Sequence, residues 1–126
     1  MGNSINYGMV GGGKDAFIGR IHRIAAKIDN NFNLVGGAFS SDPNNSILFG
    51  NELNLASDRC YSNFEEMAKK ESMREDGIEA VVIVTPNNLH IPVAKAFLKR
   101  GIHVICDKPL ATSINETKSI EKLIKK

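Results

Sequence analysis

Six residues, Gly11-Gly12-Gly13-Lys14-Asp15-Ala16, stand between an apolar run at 5–10 and a stretch from residue 16 whose apolar positions recur at steps of three and four. A strand-like run on one side and a helical period on the other put the glycines at a strand-to-helix turn. They match the pattern G-x-G-x-x-G/A, with Gly11, Gly13 and Ala16 in its three defining places. In that pattern Gly11 permits the tight turn, Gly13 lets the backbone approach a pyrophosphate, and Ala16 keeps helix and strand close. The amides at the start of the helix, together with its dipole, then favour an anion. No Gly-Lys-Ser/Thr ending follows, so the turn is not a P-loop.

The rest of the chain repeats this alternation, the signature of an α/β fold with a doubly wound parallel sheet of about five strands. Strands are predicted at 5–10, 34–39, 80–85 and 103–106, with a very short one at 59–61. The first should be central. The helix from Ala16 carries Phe17, Ile18, Ile21, Ile24, Ala25 and Ile28 on an inward face, with Arg20, Arg23 and Lys27 opposite. Further helices are predicted at 45–53, 64–70 and 92–100, the second of them opened by a Ser62 to Glu65 capping box. A second capping box, Ser113 to Glu116, opens a last helix with Ile120, Leu123 and Ile124 inward and its lysines solvated beside Glu116 and Glu121. The whole, 1–126, reads as one dinucleotide-binding (Rossmann) domain, and the chain stops before a sixth strand and a second domain.

Composition excludes several classes. With 42% hydrophobic and 24% charged residues the chain is globular, and 16 Lys plus Arg against 14 Asp plus Glu, spread evenly, leave no nucleic-acid footprint. No apolar stretch approaches the roughly 20 residues that cross a bilayer, and no signal peptide opens the chain, so a cytoplasmic protein with no membrane partner is expected. Cys60 and Cys106 lack CxxC spacing and read as free thiols. No His, Cys and acid cluster has metal-ligand spacing, and no metal is expected.

At the end of the second strand, where an acid commonly selects NAD and a nearby Arg NADP, stands Ser40, so the choice between NAD and NADP stays open. Asp42 either reaches the ribose hydroxyls or forms the turn with Pro43. Two more segments follow strand ends, Thr85-Pro86-Asn87-Asn88-Leu89-His90 and Cys106-Asp107-Lys108-Pro109. In open α/β sheets ligands sit beyond the carboxyl ends of strands, so all three loops converge on one crevice.

These three segments together resemble the amino-terminal half of the Gfo/Idh/MocA oxidoreductases, over nearly the whole chain. Asp107-Lys108-Pro109, followed by Leu110-Ala111-Thr112, is similar to the family's E-K-P segment, with Asp107 in place of the usual glutamate. The resemblance implies that Gly11, Gly13 and Ala16 hold the pyrophosphate of NAD or NADP, with Phe17 and Ile18 lining the cofactor path. It implies that Thr85, Pro86 and Asn87 lie against the nicotinamide and its ribose, and that His90 supports their loop, although His90 on its own residues reads equally as helix-start packing. It makes Lys108 the catalytic residue, hydrogen-bonded to the substrate hydroxyl and oriented by Asp107. A lysine suits this task because a cationic neighbour and partial burial favour the neutral amine.

The function so implied is hydride transfer between the nicotinamide cofactor and a small-molecule sugar, inositol or related polyol. The chain would be the amino-terminal part of a larger two-domain enzyme, a homo-oligomer at full length and catalytically incomplete alone. A non-catalytic nucleotide-binding or sensing module is the alternative. His22 and His103 read as structural or surface residues.

Overall fold

The computed structural model describes residues 4–14, 16–108 and 113–124; residues 1–3, Asp15, residues 109–112 of the segment after Lys108, and residues 125–126 lie outside them. The described elements run β1 (Ile5–Gly11), α1 (Phe17–Lys27), β2 (Phe32–Ala38), α2 (Pro43–Glu52), α3 (Phe64–Ser72), β3 (Ala80–Val84), α4 (His90–Leu98), β4 (His103–Cys106) and α5 (Ile114–Ile124). All strand pairs are parallel, in the order β2-β1-β3-β4, so β1 is central as expected.

Alternation along the strands divides the core between two faces. Tyr7 and Met9 of β1 join Ala80 and Val82 of β3 on one face. Val10, Val81 and Ile83 face the other way, where α3, α4 and α5 supply Met67, Ala68, Ile91, Val93, Ala94, Phe97 and Ile120. The near-continuous burial of β3 follows from helices on both sides.

Four strands are described, not about five. The segment at 59–61 makes a single parallel bridge, Cys60 with Gly37, and Tyr61 N donates to Gly37 O at 2.8 Å. It is too short to extend the ladder, because the 3-10 turn Ser57–Arg59 precedes it and Asn63 already caps α3. Its flanking side chains are also committed elsewhere: Arg59 Nε donates to Glu71 Oε2 at 3.1 Å and Tyr61 Oη to the same oxygen at 2.7 Å. All three residues are buried, and Ile78 N also donates to Glu71, so the charge is paired and hydrogen-bonded.

Helix starts differ in detail. Asn63, not Ser62, caps α3, its side-chain oxygen accepting from Glu66 N at 2.8 Å, one residue later than the predicted box. The turn Asn87–Leu89 leads directly into α4 at His90, leaving Pro92 in the first turn, where its missing N–H costs nothing. Ser113 opens α5 as predicted, its hydroxyl accepting from Glu116 N at 3.2 Å. Ile120 points inward, but Ile124 is exposed.

The largest departure is α1. Its apolar stripe faces outward, with Phe17, Ile24 and Ile28 exposed by 71%, 51% and 67%. The side against the sheet is instead Gly19, Arg23 and Ala26, four and seven residues apart. Arg23 Nη1 donates to Gly12 O at 2.8 Å, and its guanidinium lies 5.1 Å over the Phe49 ring. A close approach between backbones, possible only at Gly19, has overridden the hydrophobic period.

Candidate cofactor and active site

The carboxyl ends of the four parallel strands form one edge, and the loops that leave them make the candidate site. Gly11 pairs with Val84 and Ile83 with Cys106, so the loops after β1, β3 and β4 start side by side. Gly11 and Gly12 have φ of +82° and +70°, a conformation that disfavours any side chain. A Cβ at Gly11 would also meet the Val84 carbonyl at 3.0 Å, and one at Gly13 the Phe39 carbonyl at 2.8 Å. The loop is thus wedged between the ends of β2 and β3. Ala16 then caps α1 in an extended conformation and offers no side-chain acceptor to the amides that follow, which leaves them for an anion.

Beside this loop lies an open cavity of about 810 Å³, walled by Gly13, Lys14, Phe39, Ser40, Phe49 and Glu52 among others. Ser40 lines it, its hydroxyl accepting from Asp42 N at 3.1 Å. Asp42 acts as the turn and cap residue: Oδ1 accepts from Asn44 N at 2.9 Å and Asn45 N at 3.3 Å, with Pro43 opening α2. Phe17 and Ile18 open α1 with exposed side chains, outside the walls of that cavity.

His90 is 1% exposed and its Nε2 donates to the Thr85 carbonyl at 3.0 Å, so it staples the Thr85-Pro86-Asn87 loop rather than facing solvent. Thr85 is half-buried, while Pro86 and Asn87 are exposed on the same edge. Asp107 is anchored by its amide, which donates to Ile83 O at 3.1 Å and carries the β3–β4 ladder one residue past Cys106. Lys108, next to it, is exposed, where partial burial was expected; no described element covers this edge.

The thiols are poor nucleophiles. Burial, and then the charge of Asp107, push the Cys106 thiol up from its ordinary pKa, while burial and Asp58 do the same to Cys60. Burial lowers the pKa of Arg23, with Tyr7 opposing and Arg20 adding, yet a guanidinium stays charged. Among the described residues no group of His, Cys, Asp and Glu could hold a metal ion, and no helix is long and apolar enough to cross a membrane.

Two residues that sequence reasoning set aside belong to this region. Arg23, placed on the solvent side, grips the glycine loop through Gly12 O, and His22, read as structural or surface, lies 3.6 Å from Asp107. The available signal was Gly19, since a glycine inside a helix needs a packing reason; residues three and four further on share its face.

A sheet of this topology with a glycine turn, an open helix start and a clear strand-end crevice defines a dinucleotide-binding domain. The family profile described as "Oxidoreductase family, NAD-binding Rossmann fold" matches residues 5–126, and the chain belongs to this Gfo/Idh/MocA oxidoreductase family. It is 43% identical over 123 residues to the uncharacterized oxidoreductase YfiI of Bacillus subtilis, covering 97% of this chain and 31% of that protein. A solved oxidoreductase from Sinorhizobium meliloti is 52% identical with a TM-score of 0.93, over 99% of this chain and 35% of that one. The inositol dehydrogenase homolog from Azotobacter vinelandii, solved with NADH and myo-inositol, is 40% identical with a TM-score of 0.94, over 98% of this chain and 32% of that one. The chain therefore spans about a third of the length of these relatives.

The residues present fit a nicotinamide dinucleotide. The fit rests on a glycine cradle that a Cβ would fill, an uncapped helix start behind it and a cavity beyond it.

Proposed function

We propose that residues 1–126 are the amino-terminal, cofactor-binding part of a two-domain dehydrogenase acting on a sugar, inositol or related polyol. The observation that carries this reading is the meeting of three loops on one edge, the glycine turn, the His90-stapled Thr85 loop and the Asp107-Lys108 exit. When bound, the nicotinamide supplies the acceptor for a hydride from the substrate carbon. Gly11, Gly13 and Ala16 hold the pyrophosphate, Ser40 faces the adenine ribose, and Thr85, Pro86 and Asn87 flank the nicotinamide end. Lys108 takes the hydroxyl proton as the carbon becomes a carbonyl, and Asp107 orients it. The 40% identical homolog solved with NADH and myo-inositol supports the substrate class. The substrate wall would come from the remaining two-thirds of such a protein, so residues 1–126 alone bind NAD or NADP weakly and turn nothing over.

The decisive experiment is steady-state kinetics of Lys108→Ala in the intact protein. The turnover number should fall about 10² to 10⁴ fold, with cofactor affinity nearly unchanged, because a proton-transfer group acts in the transition state. Lys108→Arg should not restore it, since arginine does not give up its proton. An unchanged turnover number with weakened cofactor binding would make Lys108 a cofactor-positioning residue. Cofactor binding with no polyol oxidation by the unmodified protein would favour a sensing module.

A further inference from the structure

One polar contact joins α1 to the loop carrying Lys108. His22 Nε2 lies 3.6 Å from Asp107 Oδ1, within reach of ion pairing but longer than a hydrogen bond, and both side chains are about one-third exposed or less. Neither residue is loosely placed. The His22 ring lines a small apolar cavity of about 200 Å³ with Tyr7, Phe32, Val82 and Ile105, which fixes where its polar tip emerges. Asp107 is pinned on the opposite side by its amide bond to Ile83 O.

The helix that carries His22 also opens the pyrophosphate turn and is locked to it by Arg23. We infer that His22 is a positioning residue that, through Asp107, sets Lys108 relative to the cofactor end of α1. This rests on the reading of Lys108 as the proton-transfer group. Around His22 stand Asp107 from the β4 exit and Tyr7 of β1, which lines the same cavity, while Arg23 beside it on α1 is turned toward Gly12 and Phe49. Phe32 of β2 and Val82 of β3 bring no charge.

The test uses the intact protein and two variants, His22→Leu, which keeps apolar contact in the cavity, and His22→Gln, which keeps a polar tip without the ring. The readout that needs no catalysis is acetic anhydride labelling of the apo protein, with Lys99 as internal reference. In His22→Leu the Asp107 carboxylate loses its partner on α1 and is free to turn toward the Lys108 amine next to it, so labelling of Lys108 should slow about threefold relative to Lys99. With NAD and myo-inositol as probes, the turnover number should fall about tenfold at constant KM, as expected for loss of transition-state alignment. Asp107→Asn should do the same, and the double variant should be no worse than either single one.

Unchanged Lys108 labelling in a folded His22→Leu or His22→Gln protein overturns the inference, and so does a loss of melting temperature with turnover and KM intact. Lys108→Ala separates the two readings. If it keeps its turnover, the catalytic assignment of Lys108 fails; if it loses turnover while the His22 variants keep theirs, only the positioning role of His22 fails.

Discussion

The two faces of the sheet are built on different principles. Under α3, α4 and α5 the side chains of Met67, Val81, Ile83, Val93, Ala94 and Phe97 are wholly excluded from water, and burial there supplies most of the hydrophobic stabilisation. Under α1 and α2 the buried set is smaller, Tyr7, Met9, Phe39, Ala80 and Val82, and α1 turns its apolar stripe away from it. That helix is held by a few specific contacts, Gly19 against Gly12 and Arg23 to Gly12 O, and each of them also shapes the glycine turn. One face therefore carries stability, and the other places a helix start at the proposed pyrophosphate site.

The comparison is most exposed to failure at Phe97. Phe97→Ala removes a ring from a fully closed layer, and should cost about 3–5 kcal/mol in urea unfolding, close to the total stability of many small domains. A cost below about 1 kcal/mol would mean that the layer under α4 collapses around the gap, and that the two faces are less different than their burial suggests.

Gly19→Ala probes the other face through geometry instead of volume. The added Cβ would sit 2.6 Å from Gly12 Cα, a backbone atom that cannot swing aside, so α1 must lift or the turn must move. Alanine is the better helix former by up to about 1 kcal/mol, yet the clash should win, with a net destabilisation of about 1–3 kcal/mol. The sharper readout is calorimetric titration with NADH, where binding should weaken more than the lost stability explains. If stability falls and affinity does not, Gly19 packs the helix without shaping the anion site.

What the sequence made legible follows the same division. The glycine turn, the buried β3 run and the β4 exit are local patterns, each written within about ten residues and read by period or motif. The closed face obeyed that period except at Ile124. The orientation of α1 did not, because two of its faces compete: the stripe of Ile21, Ile24 and Ile28 is louder than the single Gly19 that lets backbones touch. The fifth strand was lost for a non-local reason, since Glu71 draws Arg59 and Tyr61 into a buried cluster that no spacing rule announces. Within the candidate site, Asp107 and Lys108 are singled out by their resemblance to a known motif. His22 was set aside because its partner among the described residues, Asp107, arrives from the far end of the chain.

The smallest effect is predicted on the outward stripe itself. Ile24 is about half exposed, and full burial of an isoleucine contributes about 1.5–3 kcal/mol, so Ile24→Ser in residues 1–126 should cost no more than about 1.5 kcal/mol. Isoleucine and serine have nearly equal helix propensity, which makes the substitution a probe of burial alone. The same substitution in a longer polypeptide containing this chain gives the contrast. An equally small cost there would mean that the stripe meets water in both settings, whereas a cost above about 2 kcal/mol would mean that further chain covers α1. In that case the helix would be held on both sides, by Gly19 and Arg23 toward the sheet and by apolar burial toward its cover, and its start would be fixed for the cofactor only when the cover is present.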